Sequence, residues 1–298
     1  MKARYHLEYA AVTALAALLR ALPRAVALEL GAALGRIGWW LRIRRRLVLS
    51  NLAQAFPGST SSERRTLAAR AARNFGRTVA EFVRFAGSDR ERVGELVTLR
   101  GADAVRAALG EGGGAIVVTA HVGAWALYVT ALAAGGIPSA LLVGRQHNPK
   151  VQRFILGIPG EAVRFVPKSK GAPREILRCL QEGRAVVMVA DHNAGRRGDF
   201  APFFGRVAST LPLPGAIAAR HDTPIFLMVG RRVSRGGHLV DVTRLPMPAG
   251  DDPDRLRHEI TVACNRALEG AIRAFPEQYF WYHRRWREYQ HVPETLAG

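Results

Sequence analysis

The chain has 298 residues, 48% of them hydrophobic, and carries 43 Lys+Arg against 24 Asp+Glu, a formal net charge of +19. Length and apolar content of this order supply a core and exclude a disordered chain, while the cationic excess asks for an anionic partner: nucleic acid, anionic lipid headgroups or an acidic carrier. The two cysteines, Cys179 and Cys264, stand in neither a CxxC nor a metal-ligand spacing, so both read as reduced packing residues and no structural metal is expected.

The first forty residues are the most unusual. Tyr9 to Leu19 is apolar and alanine-rich, and Arg20, Pro23 and Arg24 interrupt it; a second apolar run, Ala25 to Leu41, carries Glu29 and Arg36 and ends in Trp39-Trp40. Neither run offers the roughly 20 uncharged apolar residues of a spanning helix. No small-residue cleavage site follows an apolar core, so a removable signal peptide is not expected. Arg42-Ile43-Arg44-Arg45-Arg46 comes next. Apolar helices, a tryptophan pair and an arginine cluster form the order of an interfacial membrane anchor, the alternative being a buried helical hairpin with a solvated basic end. Helices are expected at Leu47–Phe56, closed by Pro57-Gly58, from Ser61-Ser62-Glu63 to about Ala72, and again over Phe75–Phe85. Residues 1–90 thus form a helical, membrane-associating region.

Beyond Gly101 helix and strand alternate: helix Ala102–Leu109, strand Ala115–Ala120, helix Trp125–Ala134, strand Ser139–Val143, helix Lys150–Ile155, strand Ala162–Val166, helix Ala172–Gln181 and strand Ala185–Ala190. A helix near Pro214–His221, strands Pro224–Gly230 and His238–Val242, and a long helix Pro253–Ala274 complete residues 91–298. This pattern predicts an α/β fold, a mostly parallel central sheet with helices on both faces.

Chemistry is expected where strands end. His121 follows the first of these strands, Arg145, His147 and Asn148 the second, Lys168 and Lys170 the third, and Asp191-His192-Asn193-Ala194-Gly195-Arg196-Arg197-Gly198 the fourth. In a parallel sheet these loops share one edge, which brings a histidine, an aspartate and several cations together. An imidazole can take a proton near neutral pH, and a carboxylate can fix its tautomer and stabilise the imidazolium. His147 and His192 have no persuasive ligand spacing and read as polar loop residues. Neither a Gly-x-Ser-x-Gly elbow nor a Walker loop nor a dinucleotide fingerprint occurs, which argues against hydrolase, NTPase and dehydrogenase chemistry.

Seven segments carry a resemblance across nearly the whole chain: Arg45-Arg46…Asn51-Leu52…Phe56-Pro57; Asn74-Phe75-Gly76-Arg77…Glu81-Phe82; His121-Val122-Gly123-Ala124-Trp125; Arg145…Asn148-Pro149; Asp191 to Gly198; Pro202-Phe203-Phe204-Gly205-Arg206; and Pro276 to Trp286. The chain resembles the lipid A late acyltransferases, with the related phosphatidylinositol-mannoside acyltransferases, in the lysophospholipid-acyltransferase-like superfamily. The resemblance implies transfer of a fatty acyl chain from a thioester of acyl carrier protein or coenzyme A to a hydroxyl of a membrane glycolipid, at the cytoplasmic face of the bacterial inner membrane. It implies neither metal nor cofactor. His121 takes the place of the general base and Asp191 of a group that orients it. Arg145 and Arg164 are candidates for the thioester oxyanion or a headgroup phosphate, with Asn148 beside them. Arg196, Arg197 and Arg206 are candidates to bind phosphate or stabilise their loop, and Phe203-Phe204 reads as core filler or as part of the acyl groove.

One departure is sharp. The family's motif places Glu or Asp five residues after the histidine, and here that position is Ala126. Three readings stand: an introduced Glu→Ala replacement, a natural enzyme that relies on Asp191, or a chain that has lost catalysis. By analogy with the orienting carboxylate of a catalytic triad, Ala126→Glu is expected to be faster by roughly 10² to 10⁴. Two rival functions remain, a non-catalytic lipid-binding relative and, from the net charge alone, a nucleic-acid binder without a recognised motif.

Overall fold

The alanine-rich N-terminal runs form two helices, α1 (Ala3–Ala21) and α2 (Arg24–Trp40), followed by α3 (Arg45–Ala55) and α4 (Ser61–Arg84). The structure, a computed structural model, describes residues 3–85, 90–144, 147–156, 163–233 and 236–287. Among the described residues no helix is long and apolar enough to cross a membrane.

The start of α4 is a capping box: Thr60 Oγ1 accepts from Glu63 N at 3.2 Å, and Glu63 Oε2 accepts from Thr60 N at 2.7 Å. The sequence predicts two helices here with a break before Phe75; the structure has one. Gly76, which weakens a helix in isolation, is where α2 crosses backbone against backbone. A Cβ at Gly76 would stand 2.0 Å from the Gly31 carbonyl oxygen, and one at Gly35 2.1 Å from that of Ala72. Packing of the two main chains outweighs the propensity cost.

Helices α5 (Arg90–Leu96), α6 (Ala102–Gly110), α7 (Trp125–Ala134), α8 (Pro149–Leu156), α9 (Ala172–Gln181), α10 (Leu213–His221) and α11 (Pro253–Ala274) surround a seven-stranded sheet. Its strands are β1 (Val97–Arg100), β2 (Ala115–Thr119), β3 (Ser139–Val143), β4 (Val163–Pro167), β5 (Ala185–Val189), β8 (Ile225–Arg232) and β9 (His238–Arg244), in the order β1-β9-β8-β2-β5-β3-β4. Strands β8, β2, β5, β3 and β4 are parallel; β9 pairs antiparallel with β8, and β1 runs parallel to β9. The mostly parallel sheet matches the sequence reading. Every residue of β2 is buried, as a central strand covered on both faces requires. Ile116 and Val118 join a core with α9, α10, α11 and α3, whereas Ala115 and Val117 point to α5, α6 and α7. Val48 and Leu52 of α3 and Ala68 and Ala71 of α4 lie in the first of these cores, so the helical region is built into the sheet's packing.

Three strands escape the sequence pattern. β1 is a four-residue strand, too short to show alternation. β6 (Asp199–Phe203) and β7 (Arg206–Thr210) form a separate antiparallel hairpin. Pro202 argues against a strand, and is tolerated because this ladder has only two members. The hairpin turn is Phe204-Gly205, both with positive φ (55° and 71°), a conformation usually taken by Asn-Gly. Phe204 is held in it by burial against Phe203, Phe56 and the Arg273 guanidinium.

The C-terminal aromatic stretch, as far as it is described, adds no strand to the sheet. After a 3₁₀ turn at Pro276–Gln278 it touches the sheet edge through a single bridge, Tyr279 to Val122.

Candidate active site

β2 and β5 are neighbours in the sheet, so the residues just beyond their ends, His121 and Asp191, stand side by side. The carboxylate grips the histidine twice. Its Oδ1 lies 2.8 Å from His121 Nδ1, and its Oδ2 accepts from the His121 backbone N–H at 3.2 Å. Tyr279, itself buried, lies close to the carboxylate. Burial by itself would raise the Asp191 pKa, but the His121 charge and hydrogen bonds outweigh it and hold the carboxyl well below its usual range. Asp191 is therefore ionised at neutral pH and directs the Nδ1 proton toward itself, leaving Nε2 as the basic nitrogen.

The turn after His121 is pinned from three sides. Gly123 N donates to the Gln278 carbonyl (2.9 Å), Phe280 N donates to the His121 carbonyl (3.0 Å), and Thr78 Oγ1 donates to the Gly123 carbonyl (3.2 Å). Gly123 has φ +58°, and a Cβ there would stand 2.3 Å from the Tyr128 hydroxyl, which caps Ala124 N at 2.9 Å. Tyr128 in turn meets His238 Nδ1 at 3.0 Å, and His238 Nε2 meets the fully buried Glu81 at 2.9 Å. Arg24 and Arg232 close this network on Glu81 at 2.6 and 2.5 Å. Burial opposes the charge, yet the His238 bond and Arg232 hold Glu81 down at about 2. Glu81 of the Glu81-Phe82 motif thus anchors the wall behind the turn that follows His121.

His121 opens into a small cleft of about 120 Å³ whose walls include Phe75, Thr78, Trp125 and Phe280. Phe75 and Phe280 also line a larger apolar trough of about 530 Å³ between α1, α2 and α4. Leu15, Leu19, Leu34 and Val79 line it, together with Gly31, Gly35 and Gly76, where α2 and α4 cross backbone against backbone. Arg44 marks its polar end and is shared with a third hollow of about 1390 Å³, lined by Arg44, Arg46, Arg206, Arg284, Arg287 and His283. None of these five arginines has a carboxylate partner among the described residues; Arg44 donates to the Tyr282 carbonyl at 3.0 Å.

Residues 1–288 match the family of bacterial lipid A biosynthesis acyltransferases. The chain belongs to that family. It is 25% identical over 270 residues to the lipid A biosynthesis palmitoleoyltransferase of Escherichia coli K12, covering 89% of this chain and 86% of the relative. The lipid A biosynthesis acyltransferase of Shigella flexneri matches with the same identity and coverage. This acyltransferase therefore joins a helix-lined apolar trough to a histidine–aspartate pair.

Several residues singled out in the sequence stand elsewhere in it. Arg164 is held by Glu175 (2.5 Å) and Glu182 (2.9 Å), pairs that commit its guanidinium to the β4–α9 surface rather than to a phosphate. Asn148 is buried and donates to the Tyr5 carbonyl and to Glu8, both at 3.0 Å, while its oxygen accepts from Lys150 N at 3.0 Å; it caps α8 and ties it to α1. Phe203 and Phe204 are core residues packed against Trp286, Trp281 and Phe56, outside both the cleft and the apolar trough. Arg196 and Arg197 are exposed in a 3₁₀ turn at Gly195–Arg197, and Arg206 reaches the arginine-lined hollow. Arg145 lies outside the described residues. Ala126 is buried in the first turn of α7, while the Nδ1 edge of the base is already taken by Asp191. The geometry thus supports the reading in which Asp191 supplies the orienting carboxylate.

The sequence reading passed over His192 and His283. The His192 ring lies face to face with His121, 3.9 Å between centroids and 5° from parallel, and His283 stacks on its other face at 3.9 Å and 13°. No periodicity announces this, because His283 arrives from a distant segment. His121, Asp191 and His192 bring three ligand atoms within 4.8 Å of one another. An imidazole lone pair lies in its ring plane, and two stacked, parallel rings cannot both aim one at a single ion. The donor set does not fit a metal.

Burial lowers the pKa of His192 to about 3 and of His283 to about 4. Both are neutral in the fold, whereas an unfolded chain protonates them below about 6.5. Stability contributed by their neutral forms is complete above pH 6.5 and falls as the pH drops toward 4. The loss is up to about 1.4 kcal/mol per pH unit for each, and less for the more solvent-screened His283. Between pH 6.5 and 4.5 the melting temperature is expected to fall by roughly 5–10 °C. A flat profile by scanning calorimetry across that window contradicts the assignment.

Proposed function

We propose that this acyltransferase moves a fatty acyl group from an acyl thioester, borne by acyl carrier protein or coenzyme A, to a hydroxyl of a glycolipid such as a lipid A precursor, with His121 as general base. The observation that supports this most is the Asp191-held imidazole at the head of an apolar trough. His121 Nε2 takes the proton of the acceptor hydroxyl as its oxygen bonds to the thioester carbonyl carbon. The carbon–sulfur bond breaks, and the leaving thiolate takes the proton back from the imidazolium. The step balances without metal or cofactor. Helix α7 starts at the cleft, and the partial positive charge at its N-terminus favours an oxyanion there.

The apolar trough suits the acyl chain, since each buried methylene contributes about 0.8 kcal/mol. The five arginines of the adjoining hollow, Arg206 among them and none with a carboxylate partner among the described residues, suit a phosphate of the donor or of the acceptor headgroup. At the rim of the trough, Trp40 (77% exposed), Leu41 and Ile43 stand beside Arg42 and Arg44–Arg46. Exposed aromatic and aliphatic groups beside cations fit peripheral or monotopic binding to an anionic leaflet at the cytoplasmic face of the inner membrane.

The test uses labelled acyl thioesters and a phosphorylated disaccharide lipid in detergent or vesicles, followed by mass spectrometry. The expected product is heavier by one acyl group and appears with one free thiol per ester formed. Acyl-chain binding without any product supports instead the lipid-binding relative that Ala126 suggests.

A further inference from the structure

A base that abstracts a proton from a bound hydroxyl must hold its ring plane, as well as its position, while it gains a charge. The Asp191 bond fixes one point of the His121 ring, the Nδ1 edge. Rotation about that point would swing Nε2 out of the cleft. What lies flat against the ring is His192, 3.9 Å away and 5° from parallel. His192 cannot tilt either, because His283 covers its opposite face at 3.9 Å and 13°.

The far end of this column is fixed by main-chain contacts. Asn193 N donates to His283 Nε2 at 3.0 Å, so that nitrogen is an acceptor and the ring is neutral. Asn51 holds the His283 carbonyl at 2.7 Å and the Trp281 carbonyl at 2.8 Å. Among the described residues the buried Nε2 of His192 has no hydrogen-bond partner. A buried imidazole nitrogen left unbonded carries a desolvation cost, and the ring's contribution therefore lies in its face.

We infer that His192 is a positioning residue for the transfer reaction: clamped between His121 and His283, its flat ring sets the plane of the base and presents a π-face to the imidazolium as it forms. The inference rests on the proposed function for its kinetic consequences, but not for its structural ones. A neutral aromatic face attracts a stacked cation, while a protonated neighbour would repel it. Asp191, Tyr279, Arg285 and Arg287 are the other ionisable groups around the column, and only Asp191 touches the base.

The test compares His192→Ala with His192→Phe. Alanine removes the face and is expected to lower kcat by about 10- to 100-fold with KM changed less than about threefold, the effect of a misplaced reacting group. Phenylalanine restores a flat, uncharged ring and is expected to recover kcat to within about threefold. A second readout needs no substrate: proton NMR of the Nδ1–H of His121 in its bond to Asp191. The wild type and His192→Phe should show this slowly exchanging downfield signal, and His192→Ala should lose it. Equal kcat for alanine and phenylalanine variants that both melt like the wild type, or an unchanged Nδ1–H signal in His192→Ala, overturns the inference. If the wild type transfers no acyl group, the proposed function fails and the NMR comparison still decides the role of His192.

Discussion

Replacing His121 with alanine is expected to lower kcat by about 10³- to 10⁴-fold and to leave acyl-chain binding nearly unchanged. The two effects separate because the imidazole faces the small cleft, whereas the proposed chain-binding surface is the trough between α1, α2 and α4. The ring is only partly exposed, packed edge-on to Trp125 at 5.0 Å, so its loss removes the proton acceptor without opening the trough. Single-turnover transfer of a labelled acyl group, beside a direct measurement of fatty-acid or acyl-thioester binding, checks both halves. A variant that still transfers at a tenth of the parent rate would take the base away from His121.

Asp191→Asn is expected to cost about 10² to 10⁴ in kcat. The amide can present an NH₂ group where Nδ1–H needs an acceptor, which favours the wrong tautomer, and it cannot offset the imidazolium. It also loses the negative charge that the His121 backbone N–H and ring now solvate in a fully buried place. Part of the loss will therefore appear as lower stability, and melting curves separate it from the kinetic effect. Ala126→Glu provides the contrast. With Nδ1 already bonded at 2.8 Å and position 126 only 5% exposed, a new carboxylate there has to be desolvated without a vacant donor on the base. Its rate is expected to stay within about tenfold of the parent, well short of the acceleration that the sequence motif alone suggests. A hundredfold gain in Ala126→Glu, with Asp191→Asn near normal, would return the orienting role to position 126.

The architecture was legible because its signals are local. Runs such as Ala115–Thr119 and Ala185–Val189 are apolar, β-branched and bounded by glycine or polar turns, and their alternation with helices allows little besides a mostly parallel sheet. Position at the end of such a strand was enough to single out His121 and Asp191, and the topology then made them neighbours. The signals that misled were local too. Gly76 and Pro202 read as breakers, and each is admitted by a partner that the sequence does not display: the backbone of α2 in one case, a two-stranded hairpin in the other. Arg164 and Asn148 carry the right chemistry for an anion or a substrate, but Glu175, Glu182, Glu8 and the Tyr5 carbonyl reach them first.

By itself, then, the sequence determined the α/β class, the absence of a helix able to span a membrane among the described residues, the basic edge, and the histidine and aspartate at two strand ends. Tertiary structure alone decided what those groups do to one another. It set Asp191 on the His121 ring, stacked His192 between rings from two distant segments, and brought α2 and α4 together at a glycine crossing beside the trough. Periodicity encodes which face of an element is buried; the partner that a buried face meets depends on the packing of segments far apart in the chain, which no local pattern records.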